Sequence, residues 1–218
     1  MAQIFRPRAN AYAIIGIATV LLLLVAVAGL GFALARSSYS TGVGVAPRQP
    51  VPFSHAHHAG ELGIDCRYCH TSVETSAFAG LPPTETCMSC HSQIWTNAEM
   101  LEPVRESLRS NQPLRWKRVY DLPDFVYFNH SIHIHKGVGC ATCHGPVDQM
   151  PLTWQASTLF MSWCLECHRA PQRFVRPRDK VFDMDWRPAG EQLALGQKLV
   201  DDYHIRVGQL TDCYLCHR

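Results

Sequence analysis

The pattern C-x-x-C-H occurs five times: Cys66-Arg-Tyr-Cys69-His70, Cys87-Met-Ser-Cys90-His91, Cys140-Ala-Thr-Cys143-His144, Cys164-Leu-Glu-Cys167-His168 and Cys213-Tyr-Leu-Cys216-His217. The copies use all ten cysteines of the chain. In a helical turn, positions i, i+3 and i+4 share one face. Two thiols on that face reach the two vinyl groups of one porphyrin as thioethers, and the adjacent imidazole points at the iron. The pattern therefore predicts five covalently bound haem c groups, with His70, His91, His144, His168 and His217 as proximal ligands. Paired C-x-x-C motifs can also hold zinc, and a single one can be a thiol switch. Neither requires a histidine after every second cysteine. Thioether attachment consumes the thiols and leaves none for disulfides.

Seven histidines lie outside these motifs. Four form a repeat, F-x-H-x-x-H, at Phe53 to His58 and again at Phe128 to His133. Two C-x-x-C-H motifs follow each copy, so a two-haem module is duplicated over residues 53–91 and 128–168. Histidines three apart lie side by side on a helical turn. One iron takes one distal ligand, so His55, His58, His130 and His133 are expected to serve four haems in two closely held pairs. His57 and His135 break the repeat and are expected to be exposed or to support the ligands. The fifth motif has no such histidine pair ahead of it. Met161 is the preferred distal ligand there, one helical turn before the fourth motif; His204 and Met150 are the alternatives. A thioether ligand would raise that haem's potential, while the plain reading of Met161 is a core side chain.

The elements that must position these groups are short helices. Ala98 to Ser110 reads as an amphipathic helix broken or turned at Pro103. Glu191 to Tyr203 fits a helix with Leu193, Leu195 and Leu199 inward. Arg115, Lys117 and Arg118 flank Trp116 and could pair with haem propionates or form a solvated basic turn. No alternating strand pattern stands out. The fold class expected is mainly α with much irregular structure: one N-terminal transmembrane helix and an extracytoplasmic multihaem cytochrome c domain. Porphyrins rather than side chains would fill most of the interior.

Ala11 to Ala35 carries no charged side chain, enough helix to cross the roughly 30 Å hydrocarbon core of a bilayer. Ala33-Leu34-Ala35 resembles a signal-cleavage site, but the apolar run exceeds the roughly 7–15 residues of a signal core. An uncleaved anchor over residues 1–36 is therefore expected, then a Gly- and Pro-containing linker over 37–52, then the haem domain over 53–218. Arg6 and Arg8 favour the N-terminus inside, partly offset by Arg36. Haem is attached to c-type cytochromes outside the cytoplasmic membrane, which places the haem domain on the periplasmic side of the inner membrane. The formal net charge is +2, which gives no electrostatic footprint for nucleic acid.

Several longer runs carry a resemblance: F-S-H-x-x-H at Phe53 to His58, LPDFVYFNHSIH at Leu122 to His133, GVGCATCHG at Gly137 to Gly145, WCLECHR at Trp163 to Arg169 and LTDCYLCHR at Leu210 to Arg218. With the single anchor, they make the chain similar to the pentahaem cytochrome subunit of alternative complex III, a bacterial quinol-oxidising membrane complex. His135 departs from that family's expected pattern. The resemblance implies an electron-transfer subunit, not an enzyme by itself and without catalytic residues. Its electrons would come from quinol through an iron–sulfur subunit and pass to a monohaem cytochrome or a soluble periplasmic acceptor. Two other functions compete. A membrane-anchored multihaem quinol dehydrogenase would hold a haem close to the membrane, but a linker separates the first motif from the span and no methionine closely follows His70. A multihaem terminal reductase needs an open distal position, which ten available ligands for five irons do not demand.

Overall fold

The computed structural model describes Arg6 and residues 8–217. Met1 to Phe5, Pro7 and Arg218 lie outside the described residues, and with them the start of the expected anchor and the last residue of LTDCYLCHR. The described residues are mostly helical and irregular and contain no strand; an isolated β-bridge pairs Val138 with Val175.

The chain divides into two compact units, one ending at Val43 and one beginning at Gly44. The first holds α1 (Arg8–Arg36, 29 residues) and the short α2 (Ser38–Thr41). No residue of α1 is buried, and its aliphatic side chains are exposed all round. By length and composition it could cross a membrane.

The second unit carries α3 (Cys66–Cys69), α4 (Thr84–His91), α5 (Glu102–Ser110), α6 (His130–His135), α7 (Cys140–His144), α8 (Met161–Arg169), α9 (Gln192–Asp202) and α10 (Cys213–Cys216). Each cysteine pair sits on its own helix, and most of these helices are one or two turns long. Helices that short are marginal by themselves and form because packing and caps hold them. The Asp65 carboxylate accepts the Arg67 N–H at the start of α3, and Asn129 accepts from the Ile132 N–H at the start of α6. Ahead of the first motif, His57 N–H donates to Ser54 Oγ, and the π-helical turn Ala56–Glu61 follows.

The aliphatic core is three small clusters rather than one. Val51, Leu101 and Val104 pack with Cys87, Met88 and Trp116 behind the second motif. Val73, Ile134 and Val181 pack against Cys140. Val175, Leu199 and Val200 pack with Val138, just ahead of the third motif. Each cluster thus backs an attachment helix.

Three details depart from expectation. Pro103 lies in the first turn of α5 and starts the helix rather than breaking it, since the missing N–H is not needed there. In α9, Leu199 is buried with Val200 and Gly196, but Leu193 is 55% exposed. The docking face of α9 passes through Gly196, where an added Cβ would lie 1.8 Å from the Gln172 carbonyl oxygen. The stretch 44–52 is not a free spacer. It belongs to the second unit: Val51 is buried, and Gln49 exchanges hydrogen bonds of 2.8 and 2.9 Å with the Lys117 backbone.

Candidate haem-binding site

Four of the five motif histidines face a second imidazole. Ring centres lie 6.4 Å apart for His55 and His70, 6.2 Å for His58 and His91, 6.4 Å for His130 and His144, and 6.2 Å for His133 and His168. An iron held between two imidazoles needs two bonds of about 2.0 Å, and each ring centre lies roughly 1.2 Å behind its bonding atom, about 6.4 Å in all. The residues therefore fit haem iron between each pair. The ring planes differ by 4°, 66°, 15° and 33° respectively, as rotation about a shared axis allows.

Except in His144, the other ring nitrogens are already engaged. Nδ1 is held by a backbone carbonyl in His58 (Ser54, 2.8 Å), His70 (Gly80, 2.8 Å), His91 (Ile94, 3.3 Å), His130 (Ala77, 2.8 Å), His133 (Asn129, 2.7 Å), His168 (Leu210, 2.8 Å) and His217 (Phe125, 3.1 Å). In His55 it meets Thr153 Oγ1 at 2.8 Å. A carbonyl only accepts, so the seven Nδ1 atoms that meet carbonyls carry the proton and their Nε2 keeps its lone pair for a metal.

Electrostatics favour the same state. Burial, then neighbouring His70 and His58, lowers the pKa of His55 to about 4. Burial, then His130, His70 and His55, does the same to His144, again to about 4. Burial also lowers His133. These imidazoles are neutral at pH 7, the form that binds metal. Burial, then the Cys66 thiol, pushes Cys140 up to about 12; burial, then Cys167, Cys140 and Cys164, pushes Cys143 up to about 12. These thiols stay protonated and uncharged.

The phenylalanine of the repeat has a role the sequence left unassigned. Phe53 stacks on His58 at 4.4 Å and meets His55 edge-on at 4.9 Å. Phe128 stacks on His133 at 4.5 Å and meets His130 edge-on at 4.8 Å. One ring thus fixes both histidines of each copy, and the two copies match within about 0.1 Å. Its presence at the same offset in both copies was the available signal. Tyr120 was missed and carries no such signal. Its ring lies 4.4 Å from His144, and its hydroxyl donates to the Cys143 carbonyl and accepts from Ala156 N–H.

The remaining candidates separate clearly. His57 pairs with Glu61 at 2.8 Å and stacks on Trp95, facing no motif histidine. His135 and His204 are exposed. Met150 is fully buried beside Gly145. Met161 opens α8, three residues before Cys164, and is 59% exposed. His217 faces no second imidazole among the described residues; its ring stacks on Phe125 at 5.9 Å. Cys164, raised first by burial, also feels Cys216, so the first turn of α8 lies near the fifth motif. Arg115, Lys117 and Arg118 are exposed, with Arg118 paired to Asp121 at 3.4 Å.

Residues 126–218, which hold the third, fourth and fifth motifs, match the family model of cytochrome c7 and related cytochrome c. That family implies covalently bound haem c. The multihaem cytochrome c subunit of menaquinone reductase from Nitratidesulfovibrio vulgaris (strain Hildenborough) is 37% identical over 97 residues, 44% of this chain and 45% of that protein. The chain thus matches a little under half the length of this relative.

Proposed function

We propose that this chain is a membrane-anchored electron carrier that binds five haem c groups, one at each C-x-x-C-H. The observation that carries the reading is the four imidazole pairs at 6.2–6.4 Å. On this reading His55 serves the motif of His70, His58 that of His91, His130 that of His144 and His133 that of His168. Bound haem supplies reversible one-electron chemistry. The chain's own residues fix the rings, hold the Nδ1 protons and keep the imidazoles neutral.

Met161 is the proposed distal ligand at His217. It lies one turn from Cys164, whose thiol feels Cys216, whereas Met150 is fully buried beside Gly145. With α1 as an uncleaved anchor, the haem domain lies on the periplasmic face of the inner membrane, because c-type haem is attached there. The family resemblance supports a role as a subunit of a quinol-oxidising complex. It takes electrons from an iron–sulfur partner and passes them to a monohaem cytochrome or soluble carrier.

The name of the menaquinone reductase relative supports a second direction, in which the same carrier delivers electrons to menaquinone. Purification of the full chain from membranes in mild detergent, with identification of co-purifying subunits, tests both. Co-purification with an iron–sulfur subunit and haem reduction by added quinol supports the first. Haems that stay oxidised with quinol but pass electrons from a periplasmic donor to added menaquinone support the second. A chain that purifies alone and without haem overturns both.

A further inference from the structure

We infer that the two modules meet head to head, so that the motifs lie in space in the order second, first, third, fourth, fifth. The inference rests on the ligand pairing proposed above and adds what the pairing leaves open, namely which haem sites are neighbours.

Within each module the neighbours follow from the repeat. His55 and His58 sit three residues apart and face His70 and His91, so the first and second motifs adjoin. Tyr68 and Ser89, one from each motif, share a hydroxyl hydrogen bond of 2.9 Å. His130 and His133 face His144 and His168 in the same way. Cys143 of the third motif lines one cavity with Cys164, Cys167, His133 and His168, so the third and fourth motifs adjoin.

Contacts between the modules are reciprocal. Ser131, next after His130, donates its N–H to the Ser76 carbonyl at 3.2 Å. Ala56, next after His55, donates its N–H to the Met150 carbonyl at 3.0 Å. Ser76 and Met150 hold equivalent positions, each six residues beyond the histidine of its module's first motif. The ring bonds repeat the exchange. His130 Nδ1 reaches Ala77 in the loop after the first motif, and His55 Nδ1 reaches Thr153 in the loop after the third. Each module therefore holds the other's leading histidine.

A like-for-like exchange of this kind is the mark of an approximate two-fold relation between matching surfaces. It brings the leading motifs of the modules together and turns the trailing ones outward. The cluster of Val73, Ile134 and Val181 packs at this junction against Cys140.

The described hydrogen bonds of the fifth motif run to the second module and to the segment just ahead of it. His168 Nδ1 meets the Leu210 carbonyl just before Cys213, and Tyr127 N–H donates to the Cys216 carbonyl at 2.8 Å. The run is then linear and its ends are the second and fifth motifs. Exposed aromatic residues mark both ends: Trp95 beyond His91, and Tyr214 with Phe125 at His217.

The test is the structure of the haem-loaded full chain in detergent, with irons located by anomalous scattering at the iron edge. The iron bound by His70 is expected to have the irons of His91 and His144 as its two nearest neighbours. The irons of His91 and His217 should each have one. An iron at His91 that lies closer to the iron of His144 than the iron of His70 does would overturn the order. Irons in the expected order with a different distal ligand at one of them would support the order and overturn the pairing at that motif alone.

Discussion

The imidazoles of His55 and His70 lie 6.4 Å apart, centre to centre, and 4° from parallel. His130 and His144 repeat the arrangement at 6.4 Å and 15°. Between equivalent rings of a duplicated module, this spacing fits one metal held between two imidazole nitrogens, and His55, His70 and His130 are each held from behind by an Nδ1 hydrogen bond.

Adjacent histidines should therefore behave differently. His58 faces His91, while its neighbour His57 pairs with Glu61. His58→Ala is expected to convert one haem of five from low-spin to high-spin in the electron paramagnetic resonance spectrum of the oxidised protein. His57→Ala should keep every haem low-spin. The reverse pattern would show that the local assignment is wrong.

Five motifs should mean five covalent haems. The pyridine haemochrome assay against protein concentration is expected to give five per chain. The double substitution Cys213→Ala with Cys216→Ala should give four, because the fifth motif stands at an end of the array. Four or fewer in the unaltered chain, or bound zinc, would contradict the reading.

As the proposed distal ligand, Met161 would set the character of the fifth site. A thioether favours ferrous iron more than a second imidazole does, so this haem should have the highest potential of the five. Met161→His should keep five low-spin haems, lower one potential and remove the methionine-to-iron charge-transfer band at the red end of the oxidised spectrum. Met161→Ala with the band and all potentials unchanged would leave Met161 a surface residue.

Gly196 lets α9 touch the Gln172 backbone. Gly196→Ala would force its Cβ against the Gln172 carbonyl, and overpacking of this kind costs about 1–3 kcal/mol. A clear drop in Tm is expected in thermal unfolding of the haem-loaded protein. Gly208→Ala is the control: its Cβ would meet nothing within 4 Å, and the change should stay within about 0.5 kcal/mol.

The proposed anchor makes sidedness testable. Protease added to intact spheroplasts is expected to digest the haem domain and spare the segment ending near Ala35. Protection of the haem domain would place it on the cytoplasmic side.

Much was legible without coordinates because it is local. An uncharged apolar run reads as a long helix whatever surrounds it, and α1 is that helix. Cysteines and histidine at i, i+3 and i+4 share a turn, and all five motifs lie on or at the end of helices. Periodicity failed where a contact depends on a small residue. Leucine spacing in α9 pointed Leu193 inward, yet the buried face runs through Gly196, which hydrophobicity does not register. Composition likewise marked 37–52 as linker, while Val51 is a core residue whose partners Leu101 and Val104 lie far along the chain.

The sequence by itself determined which atoms can bond to what: five pairs of thiols, five adjacent imidazoles and a duplicated histidine pair, since each depends only on short covalent spacing. Only the tertiary structure decided which imidazole faces which, and which motifs are neighbours. Those relations join residues from different helices, and the backbone and ring hydrogen bonds exchanged between the two modules set them. Spacing along the chain is the same whether two modules pack head to head or head to tail.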